Sequence, residues 1–417
     1  MVMRFYIETY GCVLNQHDSE LLKQLLLNAG YDWVHNEENA DFIIINTCGV
    51  KDATEKRMIN RLKSITKPLI VCGCLPSGNS QYLRKFLPNA VFLGTYSLQS
   101  VIDAVNYALE FKGIEIMKKQ DKNELGYSYS KPIEILAIGD GCTSYCTYCF
   151  TRLARKGLIS MPVHKVLKRV DDAVKSNVIE LRVTSQDVGA YGIDLDTNII
   201  QLLKKISELD TKDMKIRIGM MNPKHLMDNM EVIDIINEND VFYNFFHIPI
   251  QSGSDSILKE MRRENTVDNY IEINNEIRKD KFNNVMTDFI VGFPGETEQE
   301  HRESIELIKK TQPDTVNVSK YSARKGTIAA KMKQVDRHVI NARSIEMSFL
   351  CNDIAKKRNE MYLGKEVEFT VLEQMKGFVG RNKYYKQVVI ENSEIGKREK
   401  VKISSYGTSF IKGKSIL

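Results

Sequence analysis

The stretch Ile133-Glu-Ile-Leu-Ala-Ile138-Gly-Asp140-Gly-Cys142-Thr-Ser-Tyr-Cys146-Thr-Tyr148-Cys149-Phe150 decides how the chain is read. The apolar run Ile133 to Ile138 has the length and composition of a buried strand. It delivers three cysteines spaced Cys-x3-Cys-x2-Cys. Iron–sulfur clusters are held by thiolates, and four-iron clusters usually take four. Three close thiolates without an obvious fourth therefore predict a cluster with one iron left open to a ligand. Two other readings stand beside it. One is a zinc knuckle with a remote fourth ligand, although zinc sites more often show two pairs of ligands. The other is three inert buried thiols.

The chain has 417 residues, which predicts two or three domains. With 42% hydrophobic and 27% charged residues it can bury a sizeable core. The N-terminus reads as a strand rather than a secretion signal. No apolar run approaches the roughly 20 residues that span a bilayer. A cytoplasmic protein is expected, and there thiols stay reduced. Its eight cysteines then read as metal ligands or buried side chains, not disulfides. The net charge is +5, and the stretch 365–417 alone, with eleven Lys and Arg against six Asp and Glu, accounts for all of it. Such asymmetry points to a polyanion, most often nucleic acid.

Upstream of the cysteine loop, strand and helix patterns alternate to about Ala108, predicting an α/β domain with a parallel sheet. Arg4 to Thr9 is the first strand and leads to Gly11-Cys12. Asp18 or Ser19 is expected to cap the next helix, which Gly30 stops. Asp41 to Ile45, apolar from Phe42 onward, reads as a buried parallel strand leading to Cys48. Leu69 to Val71 leads to Cys72-Gly73-Cys74. Ligands of such sheets sit beyond the carboxyl ends of the strands. Cys12, Cys48 and Cys74 each fall there and predict a second three-thiolate site. Cys72 competes with Cys74 but should still belong to its strand, so Cys74 is favoured. Cys351 reads as structural. Residues 111–131 are polar and read as a linker between a domain at 1–110 and one at 132–362.

From 132 onward, six strand candidates alternate with helices: Ile133–Ile138, Ile179–Thr184, Met214–Gly219, Tyr243–Ile250, Asn284–Gly292 and Asp314–Lys320. Six such units predict an incomplete (β/α)6 barrel whose chemistry lies at the carboxyl ends of the strands. Polar or glycine-containing clusters fall at those ends, at Ser185-Gln186-Asp187, Gln251-Ser252 and Gly292. Arg217, on the third strand, is a partner for a ligand carboxylate or for a buried acid. The tail, 363–417, has short alternating runs separated by glycines and predicts a small antiparallel β-barrel. Within it, Gly380-Arg381-Asn-Lys383-Tyr384-Tyr-Lys386 interleaves cations with aromatics, as phosphate contact and base stacking require. Arg381, Lys383, Tyr384 and Lys386 are the expected RNA contacts. The other reading is a hairpin whose charges keep a sheet edge soluble.

Together these residues resemble the radical S-adenosylmethionine (SAM) methylthiotransferase family along nearly the whole chain. The carriers are Glu8-Thr-Tyr-Gly-Cys12, Asn15, Asp18-Ser19, Asn46-Thr-Cys48, Thr54, Gly73-Cys74, the three-cysteine loop with Tyr148 before its last cysteine, and Pro249-Ile-Gln-Ser-Gly-Ser254. The tail resembles the TRAM RNA-binding barrel. Thr184 to Gly192 and Arg217 to Pro223 look most like the archaeal and eukaryotic branch, which acts on N6-threonylcarbamoyladenosine beside the tRNA anticodon.

The resemblance implies two 4Fe-4S clusters, one on Cys142, Cys146 and Cys149 and one on Cys12, Cys48 and Cys74. SAM would bind the open iron of the first cluster, positioned by Tyr148, Ser185, Gln186, Asp187, Arg217, Gln251, Ser252 and Gly292. Reductive cleavage of SAM would open the bond at carbon 2 of the adenine, and the second cluster would deliver the methylthio group. The implied partners are tRNA, a flavodoxin- or ferredoxin-type electron donor, and a sulfur donor. Isopentenyladenosine in tRNA, an aspartate of a ribosomal protein, and a non-catalytic iron–sulfur RNA-binding role are the alternatives.

Two stretches depart from the family pattern. Ala154-Arg155-Lys156-Gly157 stands where Ala-Arg-Gly is common, and Arg324-Lys-Gly-Thr327 where Arg-Pro-Gly-Thr is common. Neither is expected to touch a cluster ligand. The chain ends at Leu417 without the membrane anchor frequent in eukaryotic members, so a soluble enzyme is expected.

Overall fold

A computed structural model describes residues 2–49, 52–126 and 129–416, with 52–56 described by their backbone alone; the side chain of Thr54 lies outside the described set. The chain forms two compact units. One comprises Met1–Ser128, Asp140–Ile159 and Ser322–Lys331; the other comprises Tyr129–Gly139, Ser160–Tyr321 and Met332–Leu417. Among the described residues no helix is long and apolar enough to cross a membrane.

The first unit is built on a six-stranded parallel sheet. Its order is Asp32–Trp33, Arg4–Thr9, Phe42–Thr47, Leu69–Gly73, Val91–Leu93 and Glu115–Ile116. Strands at its centre are apolar on both faces because helices cover both. Phe42 to Thr47 is buried at every position. The helix Val13–Asn28 packs Leu21, Leu22 and Leu26 on one face, and the helix Asp52–Ser64 packs Met58 and Leu62 on the other. The winding thus reverses between Arg4–Thr9 and Phe42–Thr47. A reversal of this kind opens a crevice at the carboxyl ends of the two strands.

The expected cap at Asp18 or Ser19 is corrected by the structure. The helix begins nearly two turns earlier, at Val13, with Cys12 as its N-cap residue. Asp18 and Ser19 lie inside it, both buried. Their side chains serve distant partners instead. Ser19 accepts hydrogen bonds from Thr9 and from the Asn46 amide at 2.7 and 2.9 Å. The stretch read as linker also contributes structure: Glu115–Ile116 adds the last strand of the sheet.

In the second unit, six parallel strands form two three-stranded sheets. These are Lys215–Ile218, Glu180–Thr184 and Ile133–Ala137, then Phe245–His247, Asn284–Val291 and Thr315–Lys320. A parallel bridge from Ile216 to Phe242 joins them into one open arc. The helix Arg337–Glu360 carries Cys351, buried in the barrel's apolar core.

The tail closes a five-stranded barrel in the order Glu366–Gln374, Phe378–Asn382, Gln387–Ile390, Ile411–Ser415 and Arg398–Tyr406. All its pairs are antiparallel except Gln387–Ile390 with Ile411–Ser415. Val367, Phe369, Val371, Val388, Ile390, Val401, Ile403 and Ile411 fill it. Each such side chain contributes about 1.5–3 kcal/mol on burial.

Candidate functional site

Glycine and asparagine gather the cysteines of the first unit. Gly11 adopts φ +117°, and a Cβ there would lie 2.9 Å from the Cys48 Cβ and 2.7 Å from Asn15 Nδ2. Only glycine lets the two strand ends approach so closely. Asn15 is fully buried. Its Nδ2 donates to the Tyr10 and Thr47 carbonyls, both at 2.9 Å, and so ties together the ends of the strands Arg4–Thr9 and Phe42–Thr47. Its Oδ1 accepts from the thiols of Cys12 and Cys74 at 3.9 and 3.8 Å. Cys12 is exposed, while Cys48 and Cys74 are buried. Burial pushes the Cys74 thiol up to about 12; the Arg155 guanidinium opposes this, and Cys12 and Cys48 add to it. The three thiols expected at the strand ends are therefore neighbours.

Cys72 stands elsewhere. It lies within the strand Leu69–Gly73, faces the core formed with Phe5 and Leu22, and donates to the Ile45 carbonyl at 3.7 Å. Burial pushes its thiol pKa up strongly. Cys74 opens the following helix and packs on the opposite face of the sheet.

The loop of Cys142, Cys146 and Cys149 packs within this same unit. Gly141 has φ +80°, and a Cβ there would lie 1.6 Å from the Gly157 carbonyl oxygen. The Cys142 sulfur accepts from the Ser144 amide at 3.3 Å. The Cys149 amide donates to the Cys146 carbonyl at 3.3 Å. Burial and the Cys146 thiol raise the Cys149 pKa, opposed by the amides of Arg152 and Thr151 at the start of the short helix Thr151–Ala154. Phe150 anchors the loop in the sheet's core. Its ring fills the space that a Cβ at Gly49 or Gly78 would take, at 2.3 and 2.6 Å. Tyr148 is half-buried in this loop.

Four ionised side chains join the two thiol sets, and local sequence does not announce them. Arg155, with 0% of its side chain exposed, donates from Nη1 to Asp140 at 2.6 Å and from Nη2 to Asp18 at 2.5 Å. Nη2 also reaches Asn15 Oδ1 at 3.2 Å. Lys122 Nζ lies 2.8 Å from Asp18 and 2.7 Å from Asp140. The charges alternate around a closed ring, which is how a buried ionic group offsets its desolvation. The expectation that 154–157 stays away from the cysteines is thus corrected for Arg155, whose guanidinium lies beside Cys74. Asn15 and Asp18 belong to the family motif, but nothing near Lys122 or Arg155 in sequence signals their meeting.

In the second unit, Ser185, Gln186, Asp187, Gln251, Ser252 and Gly292 all follow strand carboxyl ends, but most are occupied. Asp187 accepts from the amides of Gly189 and Asn222 and pairs with His225 Nδ1 at 2.7 Å. The Ser185 hydroxyl accepts from the Asp187 amide, and that of Ser252 from the Ser254 amide. Gly292 donates to Glu296 at 2.8 Å, and a Cβ there would meet Ile340 at 2.3 Å. Two residues stand out. Gln186 Oε1 is buried without a partner. Gln251 holds φ +78°, a conformation that costs a non-glycine residue roughly 1–3 kcal/mol and clusters at ligand sites. Arg217 points the other way. Its guanidinium lies 4.9 Å from the Phe245 ring and 5.6 Å from the Tyr385 ring, toward the amino end of the strands and apart from the other residues expected to position SAM.

The hairpin at Asn382–Lys386 is also corrected. Its backbone docks on the amino ends of the barrel strands, where Lys383 O accepts from the Asn244 amide and Tyr384 O from Asn284 Nδ2, both at 2.9 Å. Tyr384 is half-buried, bonded to Asp280 at 3.1 Å and packed on Phe282. Lys386 is buried and paired with Asp314 at 2.8 Å. Arg381 lies over Tyr385 and donates to Gln387. Of the four expected RNA contacts only Lys383 is exposed, and it reaches Asp240 at 3.4 Å. Cations next to aromatics suit buried stacking as well as RNA, and here the packing partner is the barrel.

Residues 136–308 match the Radical SAM superfamily and residues 4–94 match the Uncharacterized protein family UPF0004. A Methanocaldococcus jannaschii protein named probable threonylcarbamoyladenosine tRNA methylthiotransferase is 37% identical over 100% of this chain and 98% of its own length. The chain belongs to the radical SAM methylthiotransferase family. The Homo sapiens protein named threonylcarbamoyladenosine tRNA methylthiotransferase is 30% identical over 100% of this chain and 74% of its own. Among solved structures, a radical S-adenosylmethionine methyltransferase from Kitasatospora setae aligns with a TM-score of 0.56 at 9% identity, covering 79% of this chain and 77% of its own. That likeness concerns the fold alone.

For a methylthiotransferase the donor chemistry fits. Each thiol set offers three soft ligands, as a four-iron cluster with an open site requires. Among the described residues no His, Cys, Asp or Glu group is gathered tightly enough for a single metal ion. In a cubane each thiolate binds a different corner, so its ligands stand farther apart. At Gly141, alanine would meet both the positive φ and a backbone oxygen 1.6 Å away. Gly141→Ala should therefore lose the Cys142 loop cluster, with iron falling from about eight to about four atoms per chain on colorimetric assay.

Proposed function

We propose that this methylthiotransferase adds a methylthio group to carbon 2 of N6-threonylcarbamoyladenosine in tRNA. One observation carries the reading: two three-thiol sets share one compact unit and are tied by a buried ring of charges. The full-length likeness to proteins named for this activity supports the substrate.

In this reading Cys142, Cys146 and Cys149 hold one 4Fe-4S cluster, and Cys12, Cys48 and Cys74 hold the other. Once bound, SAM and the two clusters supply the one-electron chemistry that opens an unreactive aromatic C–H bond, together with the sulfur that replaces the hydrogen. The protein's own residues hold and orient. Gln186, whose buried Oε1 has no partner among the described residues, would help to hold SAM by accepting a hydrogen bond. Gln251, held at φ +78° after its strand, is a second candidate to hold SAM. The amides of Thr151 and Arg152 oppose the burial that disfavours the Cys149 thiolate.

The tail contacts tRNA through its outer face rather than its hairpin. Arg398, Lys400 and Lys402 alternate outward, and Lys402 stands opposite Lys414 in register. These cations suit the phosphate backbone. The enzyme acts in the cytoplasm and takes electrons from a flavodoxin- or ferredoxin-type donor.

The test is nucleoside mass spectrometry of tRNA incubated anaerobically with enzyme, SAM, sulfide and dithionite. Threonylcarbamoyladenosine should gain one methylthio group, a mass increase of about 46 Da for replacement of H by SCH3, in a reaction led by the cofactors. SAM cleavage with modification of isopentenyladenosine alone, or of no nucleoside, would refute the substrate.

A further inference from the structure

Arg155 carries more than a structural strut needs. Its side chain is fully buried, and its two terminal nitrogens are taken by Asp140, Asp18 and Asn15. Its Nε–H is also buried and has no hydrogen-bond partner among the described residues. A buried donor left unpaired forfeits its hydration without a replacement. In native proteins such a group usually serves a ligand, an ion or a catalytic role. Here the surroundings identify the missing acceptor. Asn15 Oδ1, bonded to Arg155, lies 3.8 Å from the Cys74 sulfur and 3.9 Å from that of Cys12. The other neighbours, Asp18, Asp140 and Lys122, already satisfy one another.

We propose that Arg155 is a positioning residue for the auxiliary cluster. It donates its free N–H to a sulfur of the Cys12–Cys48–Cys74 site and holds that cluster's reduction potential up. This rests on the reading of those cysteines as cluster ligands. The physical ground is general. Reduction adds negative charge to a cluster, so a hydrogen bond or a cation at its sulfurs favours the reduced form. Asp140 opposes that cation. Because Asp140 lies two residues before Cys142, the ring also links the charge state of one cysteine loop to the surroundings of the other.

The test uses the full chain with Cys142, Cys146 and Cys149 all replaced by alanine, so that only the auxiliary site can load. Iron content, the electron paramagnetic resonance spectrum and the midpoint potential are measured. Arg155→Gln should lower the potential by roughly 59 mV or more, a tenfold shift in the one-electron equilibrium. Arg155→Lys should recover part of that shift through its charge, without the planar donor geometry. Asp140→Asn should move the potential the opposite way, because it leaves the guanidinium less compensated. If Arg155→Gln fails to fold, the Lys and Asn variants decide by their opposite signs. Four irons retained with potentials and spectra unchanged in the foldable variants would overturn the role of Arg155 alone. No iron in the parent triple-alanine protein would overturn the cluster reading, and the role of Arg155 with it.

Discussion

Cys74→Ala lowers the iron content of anaerobically reconstituted protein from about eight to about four atoms per chain, whereas Cys72→Ala leaves it at about eight. A single residue, Gly73, separates the two cysteines in sequence, yet they lie on opposite faces of the sheet. Cys72 is a strand residue whose side chain enters the core with Phe5 and Leu22, and its thiol donates to a backbone carbonyl. Cys74 follows Gly73, which adopts φ +90°, and sits beside Asn15 and Arg155 on the other face. A Cβ at position 73 would lie 2.3 Å from Asn46 Oδ1, so the reversal of direction there needs glycine. Loss of Cys74 removes one of three thiolates from an already incomplete set, and the cluster leaves with it. Loss of the Cys72 sulfur removes a small buried group, at a cost on the order of 1 kcal/mol of stability. Modification of tRNA should vanish in Cys74→Ala and persist in Cys72→Ala. Equal iron loss in both variants would show that the two sides of the sheet had been wrongly assigned.

Asp314→Asn destabilises the second unit by about 3–5 kcal/mol, the usual cost of breaking a buried ionic group from one side. Asp314 is fully enclosed and holds three cations: Arg278 at 2.8 Å, Arg358 at 3.0 Å and Lys386 at 2.8 Å. It also accepts from the Val285 amide at 3.0 Å. An asparagine keeps the shape but leaves three buried positive groups with no counter-charge. With a urea m-value of about 3 kcal/mol/M, the midpoint should fall by roughly 1 M or more. Because Lys386 belongs to the tail, limited proteolysis should release the C-terminal barrel early in this variant.

The same carboxylate sets a pH dependence. Burial pushes its pKa up, but Lys386, Arg278 and Arg358 outweigh burial and hold it well below the usual range. The folded value lies below the unfolded one of about 3.9. Its contribution is therefore complete above that value and is lost as pH falls towards the folded value. Wild-type stability should drop steeply below about pH 4, and Asp314→Asn should flatten that part of the curve.

Much of this molecule was legible in order along the chain. Apolar runs of strand length, each followed by a helical pattern, marked the parallel sheet and all six barrel strands, because alternation and burial are local properties of sequence. The place of Cys12, Cys48 and Cys74 followed from one topological rule about strand ends. Side chains that act over long distances were harder. Asp18 has the composition of a helix cap, yet it lies inside the helix because Arg155 and Lys122 claim it from more than 100 residues away. The Asn382–Lys386 hairpin has the composition of an RNA contact, yet Asp314, Asp280 and Glu180 hold it against the barrel.

By itself the sequence determined the cysteine spacing, the alternation of elements, the basic tail and the family. Each is written in neighbouring residues or in a motif. Only the tertiary structure decided that Arg155 stands beside Cys74, that Arg217 faces away from the carboxyl mouth, and that the aromatic hairpin is a docking plug. A buried charge or donor is satisfied by whatever the fold brings to it, and that partner has no fixed offset along the chain.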